Sequence, residues 1–355
     1  MNALKKDVVL DKKIKNEKTI LSVVIPCWNC SETIERLLDS LVAQVNPPKF
    51  EVIIQDDHST DNFMEKVEKY KSKLDIKYFK NKDREVHCPG NTRMDGLSHV
   101  TTEWVTFADN DDMYEPNAFD EFYKCVMFNN EKNLVVSQFR EYFPDEDAFG
   151  KEYVVKNNIT WMHGKFYNIN FLKEYGINFK ENLLSHEDLF FNQSCFSIIT
   201  AKGLSYSILQ VFTYRWVFNP NSLSRSMFKD HEYYIDVYYD DFIAASVQPW
   251  RKLLTDYPDK KDYLFNRECY VLLYAYFYYQ SLYLRNGLKH HKHNRDLLES
   301  FLNDIKDSYG KTTEDILDVI YNDPESYNKT RREAMGGCAG GLIEGISFRD
   351  FLNLF

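Results

Sequence analysis

Three clusters of acidic side chains in this sequence have spacings that could do chemistry. In FADNDDMYEP, Asp109 and Asp111 stand two residues apart. Alternate residues of an extended segment share a face, so both carboxylates can converge on one divalent cation. Oxygen ligands suit Mn2+ or Mg2+, above all when substrate phosphates complete the shell. A lone D-x-D is commonly a solvated acidic turn; its position after an apolar run, with Pro116 closing the turn, favours the cation. In QDDHSTD, Asp56 and Asp57 follow another apolar run, where an Asp can accept from a base N–H or a ribose hydroxyl. Ser59 or Asp61 could equally cap the helix that follows. In LLSHEDLFFN, Glu187 and Asp188 lie among apolar neighbours. Desolvation there would raise a carboxyl toward the range of a general base, although an acidic pair before a helix is usually a cap.

Two further patterns invite chemistry and deserve less weight. Cys27 and Cys30 form a C-x-x-C before a helix-like stretch, the place where a thiol can be activated. No other thioredoxin-like feature follows, and the spacing reads as incidental. LKHHKHNR (288–295) could suggest a metal, but adjacent histidines on a helix point different ways; a solvated basic face meeting an anionic lipid or a partner fits better.

The elements that must hold the acidic clusters alternate. Strands are expected over 20–25, 50–54, 75–79 and 104–108, and helices over 31–44, 61–71 and 91–100. Alternation over about 110 residues implies parallel βαβ units with right-handed crossovers. Ligands in such sheets sit beyond the carboxyl ends of the strands, which is where PCWN, QDDHSTD and DNDD fall. A helix over 117–128 and a strand in NLVVSQFREYF follow, then a stretch from 153 to 225 that reads as irregular. Helices return at 233–245, 263–284, 297–307 and 313–321, before a Gly-rich tail, GGCAGG (336–341).

These residues together resemble the family 2 glycosyltransferases of the GT-A fold. LSVVIPCWNCSETIERLLDSLVAQ is similar to that family's opening strand, P-x-aromatic-N turn and first helix. FEVIIQDDHSTDN is similar to its D-D-G-S-T-D strand, GNTRMDGLSHVTTEWVTFADNDDMYEP to its G-N-x-x-R-N-x-G helix and D-x-D strand, and MHGKFYNINFLKEYGINFKENLLSHEDLFF to its acceptor-side segment. The likeness covers residues 20 to 225. It implies a Rossmann-like, mostly parallel α/β sheet over 19–226, after an extension (1–18); the residues beyond match no family, and their helical pattern reads as a mainly helical C-terminal domain (227–355).

It also implies roles. Asp57 would contact the nucleotide base, with Pro26, Trp28 and Asn29 shaping that pocket. Arg93 would face the diphosphate, and Asn110 would lie in the donor site. Asp109 and Asp111 would form the D-x-D, Asp111 as metal ligand and Asp109 as ligand or ribose contact. Asp188 would be the catalytic base with Glu187 beside it. YRWVFNPNSLSR (214–225) would close over the donor, bringing Arg215 and Ser222. Three departures stand out: Trp28 for the usual Tyr, His58 for Gly, and Met94 for Asn. The implied activity is metal-assisted, inverting transfer of a sugar from a nucleotide diphosphate, expected to be UDP, to a hydroxyl of a glycan or polymer acceptor such as a cell-surface polysaccharide. A nucleotidyltransferase on a related fold and a non-catalytic sugar-nucleotide or carbohydrate-binding module remain open as alternatives.

Bulk properties narrow the field. The 355 residues are 44% hydrophobic and 16% aromatic, enough for a large globular core. A net charge of −10 argues against general nucleic-acid binding. Seven scattered cysteines are no disulfide framework. Residues 1–18 lack a signal-peptide core, and the apolar run 269–284 is too short and too rich in tyrosine to span a bilayer, which needs about 20 apolar residues. That run reads as core or as a homo-oligomer interface. The expected location is cytoplasmic, with peripheral contact at the inner membrane face left open.

Overall fold

A computed structural model describes residues 18–142, 153–155, 158–219, 222, 232–286, 291–335 and 347–354. The 226/227 boundary, the Gly-rich tail and nearly all of the 1–18 extension lie outside the described residues. The chain divides into two compact units, Met1–Asn219 and Pro220–Phe355.

The first unit is a curled, mixed sheet. β1 (Leu21–Cys27), β2 (Phe50–Asp56), β3 (Ile76–Lys80) and β4 (Trp104–Phe107) are parallel, in the order β3-β2-β1-β4. The crossovers carry α1 (Ile34–Val42), α2 (Phe63–Glu68) and α3 (Pro89–Ser98). β1 is buried at every residue, as expected of a β-branched strand covered on both faces. α1 turns Ile34, Leu37, Leu38 and Leu41 onto the sheet at the helical period. Pro26 fits inside β1 for a topological reason. Val24 C=O accepts from Ala108 N (3.1 Å) on the β4 side, and β4 ends at Phe107. The missing N–H of Pro26 therefore costs no ladder bond, and its carbonyl accepts from Asn110 Nδ2 at 3.1 Å instead.

Past β4 the sheet continues through β8 (Lys165–Asn168), β6 (Leu134–Tyr142), β9 (Ser207–Val217) and β5 (Met113–Tyr114), with β7 (Tyr153–Val155) paired to β6. β8 runs antiparallel to β4 and β6, β6 and β9 are parallel, and β5 is antiparallel to β9. α4 (Ala118–Asn129) fills the expected helix. The expectation of irregular chain from 153 to 225 is corrected. This region holds β8, α5 (Ile169–Glu174), the sixteen-residue α6 (Glu187–Lys202) and the eleven-residue β9. α6 escaped detection because it is buried on nearly all sides: Phe191 through Ile199 are all inside, leaving no polar stripe to mark its period.

The second unit is helical: α7 (Glu232–Arg251), α8 (Leu253–Asp256), α9 (Lys261–Asn286), α10 (His291–Tyr309), α11 (Thr313–Tyr321), α12 (Pro324–Met335) and α13 (Phe348–Leu352). The tyrosine-rich run on α9 is core, with Cys269, Leu272, Leu273, Tyr276 and Tyr279 all buried. Glu268 is wholly buried and held by Arg251 Nη2 and Tyr309 Oη, each at 2.8 Å. Of the histidine run, 288–290 lie outside the described residues; His293 Nε2 meets Asp240 Oδ1 at 2.9 Å. Among the described residues no helix is long and apolar enough to cross a membrane.

Candidate active site

The first turn after β1 is built to grip the turn after β2. Asn29 takes a left-handed backbone (φ +47°), and its Oδ1 accepts from Thr60 N at 2.8 Å. Its own N–H donates to Ser59 Oγ (2.9 Å), while Ser31 N donates to Asp61 Oδ2 (2.7 Å). Ser59 and Asp61 thus tie two loops together, with Asp61 giving α2 only a long 3.5 Å contact from Phe63 N. Asp56 forms the turn by accepting from Ser59 N at 2.9 Å, and His58 occupies the left-handed position (φ +59°) where the resemblance has Gly. Asp57 is left buried at the strand end, with its N–H on Cys27 O (2.8 Å) and its Oδ1 accepting from Asn81 Nδ2 (2.9 Å). Trp28 is 66% exposed on the rim.

The C-x-x-C belongs to this scaffold. Cys27 and Cys30 are both buried and free, and burial, followed by the hydrogen bond with Cys30, pushes the Cys27 thiol well up. A redox thiol needs the opposite shift.

α3 is the centre of the arrangement. Its sequence, PGNTRMDGLS, is mostly polar, yet Gly90, Asn91, Thr92, Arg93, Asp95 and Gly96 are all buried. Two glycines permit this. A Cβ on Gly96 would meet Val24 Cγ1 at 2.5 Å, and one on Gly90 would meet Glu187 Cβ at 2.8 Å. The helix is thereby pressed between the sheet and the start of α6. Thr92 Oγ1 accepts from Asn81 Nδ2 (2.9 Å), toward Asp57. Arg93, on the next position, donates from Nη2 to Asp109 Oδ1 (2.5 Å) and from Nη1 to Glu187 Oε1 (2.6 Å). Arg93 was expected to face a diphosphate; here its guanidinium braces the D-x-D turn against the Glu-Asp pair. Burial works against its charge, but Asp109 and Glu187 outweigh that and hold it firmly protonated.

Around Arg93 the carboxylates differ. Burial would raise Asp109, but Arg93 holds it below the usual range. Asp111 is pushed up by burial and by Asp109, with Asn219 Nδ2 donating to its Oδ2 at 3.0 Å. Asp112, unmarked in the sequence reading, is wholly buried; its two oxygens accept from Tyr214 Oη and Val217 N, both at 2.8 Å. Burial, then Asp111 and Asp109, push it far up. Side-chain ligand atoms of Asp109, Asp112 and His163 all lie within 4.8 Å of one another, and burial takes His163 down to about 4, so it is neutral. Both oxygens of Asp112 already serve the protein. A hard cation beside Asp109 and Asp111 would relieve the repulsion that raises Asp111.

Asn110 ties the D-x-D turn to its neighbours. Its Oδ1 accepts from Thr33 Oγ1 (2.8 Å) and its Nδ2 reaches Pro26 O, fastening the D-x-D turn to β1 and α1. Arg215 is corrected from a closing loop to a sheet position: Tyr214–Val217 are strand, and Arg215 Nε and Nη2 pair with both oxygens of Glu115 at 2.8 Å. The alternation that would announce a strand is interrupted there by adjacent buried Thr213 and Tyr214. Ser222 lies past Asn219, in the second unit.

Glu187 and Asp188 open α6, behind His186 in a left-handed conformation (φ +56°). Asp188 is half-buried, and its Oδ1 accepts from Leu189 N at 2.6 Å. Burial and then the neighbouring Glu187 push its carboxyl up to about 7, with Arg93 and Lys165 opposing. Lys165, fully buried with Nζ on Trp161 O, is lowered by burial to about 7. Asn192 locks the helix start by donating to Asp188 O (2.9 Å) and Thr160 O (2.7 Å). Neither Asn192 nor Lys165 carries a sequence signal of its own: Asn192 stands beside Gln193 and Ser194, and Lys165 between Gly164 and Phe166.

Acidic groups collected at the carboxyl ends of β2 and β4 and at the start of α6 suit a sheet that binds a nucleotide and its cation. Residues 22–204 match Glycosyl transferase family 2, and the chain belongs to that family. Over 205 residues it is 30% identical to the poly(ribitol-phosphate) beta-N-acetylglucosaminyltransferase TarS of Staphylococcus aureus (strain MW2), covering 52% of this chain and 35% of that protein. Over 202 residues it is 29% identical to the poly(ribitol-phosphate) beta-glucosyltransferase of Bacillus spizizenii, covering 53% and 31%. The chain thus spans about a third of the length of these relatives. Over 233 residues it is 29% identical to the S. aureus (strain N315) enzyme TarP, covering 64% of each. The crystal structure of S. aureus TarS 1-349 in complex with UDP-GlcNAc shares the fold, with a TM-score of 0.62 at 18% identity over 89% of this chain and 91% of that one.

Proposed function

We propose that the chain is an inverting glycosyltransferase that moves a sugar from a UDP-sugar to a hydroxyl of a polyol-phosphate cell-wall polymer. The observation that carries this reading is Asp188: a carboxyl raised to about 7 at the mouth of α6, braced through Glu187 and Arg93 to the D-x-D turn. A group so poised is partly ionised at neutral pH, and its carboxylate is basic enough to take a proton.

The base of the donor would rest at Asp57, and its diphosphate would lie over Asp109 and Asp111. A Mn2+ or Mg2+ ion held by those two carboxylates would neutralise charge on the departing diphosphate. Asp188 would remove the proton of the acceptor hydroxyl as that oxygen attacks the anomeric carbon from the face opposite the leaving group. Glu187, engaged by Arg93, positions Asp188 and does not itself transfer a proton. The acceptor class rests on the relatives, three of which are named for poly(ribitol-phosphate); their sugars differ, N-acetylglucosamine in two and glucose in one, so the sugar does not carry over.

The test is product analysis with poly(ribitol phosphate), Mn2+ and UDP-GlcNAc or UDP-glucose. Released UDP together with a β-linked sugar on the polymer is expected. Pyrophosphate would establish a nucleotidyltransferase in its place, and binding without turnover of any UDP-sugar would leave a carbohydrate-binding module.

A further inference from the structure

The base end of the site contains a device that no motif announced. His87 Nδ1 lies 2.9 Å from Asp57 Oδ1, the same oxygen that accepts from Asn81 Nδ2 at 2.9 Å. A carboxylate oxygen accepts, so His87 Nδ1 carries the hydrogen, which fixes the tautomer. Both contacts fall on Oδ1. Among the described residues, Oδ2 has no hydrogen-bond partner, although the side chain is only a tenth exposed. That oxygen keeps an open side, so a ligand's N–H can reach it as the acceptor left over by the protein's own donors.

The segment bearing Asn81 and His87 is held firmly. Arg84 pairs with both oxygens of Asp95 on α3 at 2.7 Å, Lys82 N donates to Asp95 Oδ2 (3.0 Å), and Asn91 Nδ2 donates to Val86 O (2.9 Å). Gln55 Nε2 fixes Asn81 through its Oδ1 at 3.0 Å. The His58 ring meets His87 edge-on at 5.7 Å between centroids, so the imidazole is braced from the adjoining turn.

We infer that His87 is a positioning residue for donor recognition: by anchoring Asp57 through Oδ1 it reserves Oδ2 for the imide N–H of a uracil ring, and so selects uridine over cytidine nucleotides. Uracil N3 carries a hydrogen to give. Cytosine N3 presents a lone pair, which would face the carboxylate with no hydrogen between them and leave Oδ2 unsatisfied. The inference rests on the reading of Asp57 as the base acceptor in the proposed function.

The two separate in one experiment: calorimetric titration of the full chain with UDP and with CDP, at fixed Mn2+, for wild type, His87→Ala and His87→Gln. Wild type should prefer UDP by about tenfold to a hundredfold, the worth of a buried acceptor satisfied or left empty. His87→Ala should lose about tenfold in UDP affinity with CDP binding unchanged, narrowing the preference by that factor. His87→Gln keeps an N–H donor and should recover part of the preference; because it also fills the space, it guards against a loss that reflects folding alone. A wild type that does not prefer UDP overturns the assignment of Asp57 and this inference with it. A preference that survives His87→Ala, or an equal loss for both nucleotides, overturns the role of His87 alone.

Discussion

The two ends of the site are built on opposite principles. At the base end, polar side chains are tied to one another by hydrogen bonds: Asn29 with Thr60 and Ser59, Asp61 with Ser31, and Asp57 with Asn81 and His87. At the transfer end Asp109, Asp111, Asp112, Glu187 and Asp188 crowd around Arg93 and Lys165, and burial with mutual repulsion pushes Asp111, Asp112 and Asp188 up. Dense hydrogen bonding, with one oxygen of Asp57 left over, gives a rigid surface for recognising one shape. Uncompensated acidic charge gives affinity for protons and cations, which is what acid–base and metal chemistry require. α3 makes the two ends one site, since Thr92 faces the first and Arg93 the second.

The sharpest way to break this contrast is Asp188→Asn. Turnover should fall by about 10²–10⁴, the usual worth of a general base, with UDP affinity unchanged by calorimetry. Comparable losses in both would mean that the ends are not separable.

Arg93→Ala comes next. It strips the cation from Asp109 and Glu187 inside the protein, and removing one partner of a buried pair costs about 3–5 kcal/mol. Urea denaturation should show that loss. An Asn29→Ala variant, which removes neutral contacts at the exposed end of the base loop, should lose only about 1 kcal/mol. Equal losses would erase the distinction.

Gly90→Ala tests how closely α3 must approach α6. A methyl 2.8 Å from Glu187 Cβ should cost about 1–3 kcal/mol of stability and lower turnover more than UDP affinity.

The last contrast is in pH. Transfer should rise with pH through about 7 and then level, as Asp188 ionises. Its raised folded-state pKa contributes stability that is complete below the ordinary aspartate value and is lost as pH rises through about 7. Asp188→Asn should therefore melt higher than wild type above pH 7, with the gain vanishing near pH 4. A melting difference that grows on acidification would reverse the sign and remove Asp188 from the buried end.

What the sequence determined by itself is the parallel half of the fold and the acidic clusters at its strand ends. β1, β2 and α1 announce themselves because burial on two faces or one stripe imposes a period on neighbouring residues. QDDHSTD and DNDD directly follow the apolar runs of β2 and β4, so their positions followed; HED opens a helix that left no period to place it. Tertiary structure alone decided which acids are shared, which are caged and which are raised. Arg93 bridges residues 16 and 94 positions away, and Arg215 turns to Glu115 from 100 positions away. Such partnerships depend on distance in space, and a local pattern carries no record of it. α6 and His87 were hidden for related reasons: a helix buried all round loses its stripe, and one histidine in a loop gains meaning only from the carboxylate that the fold brings to it.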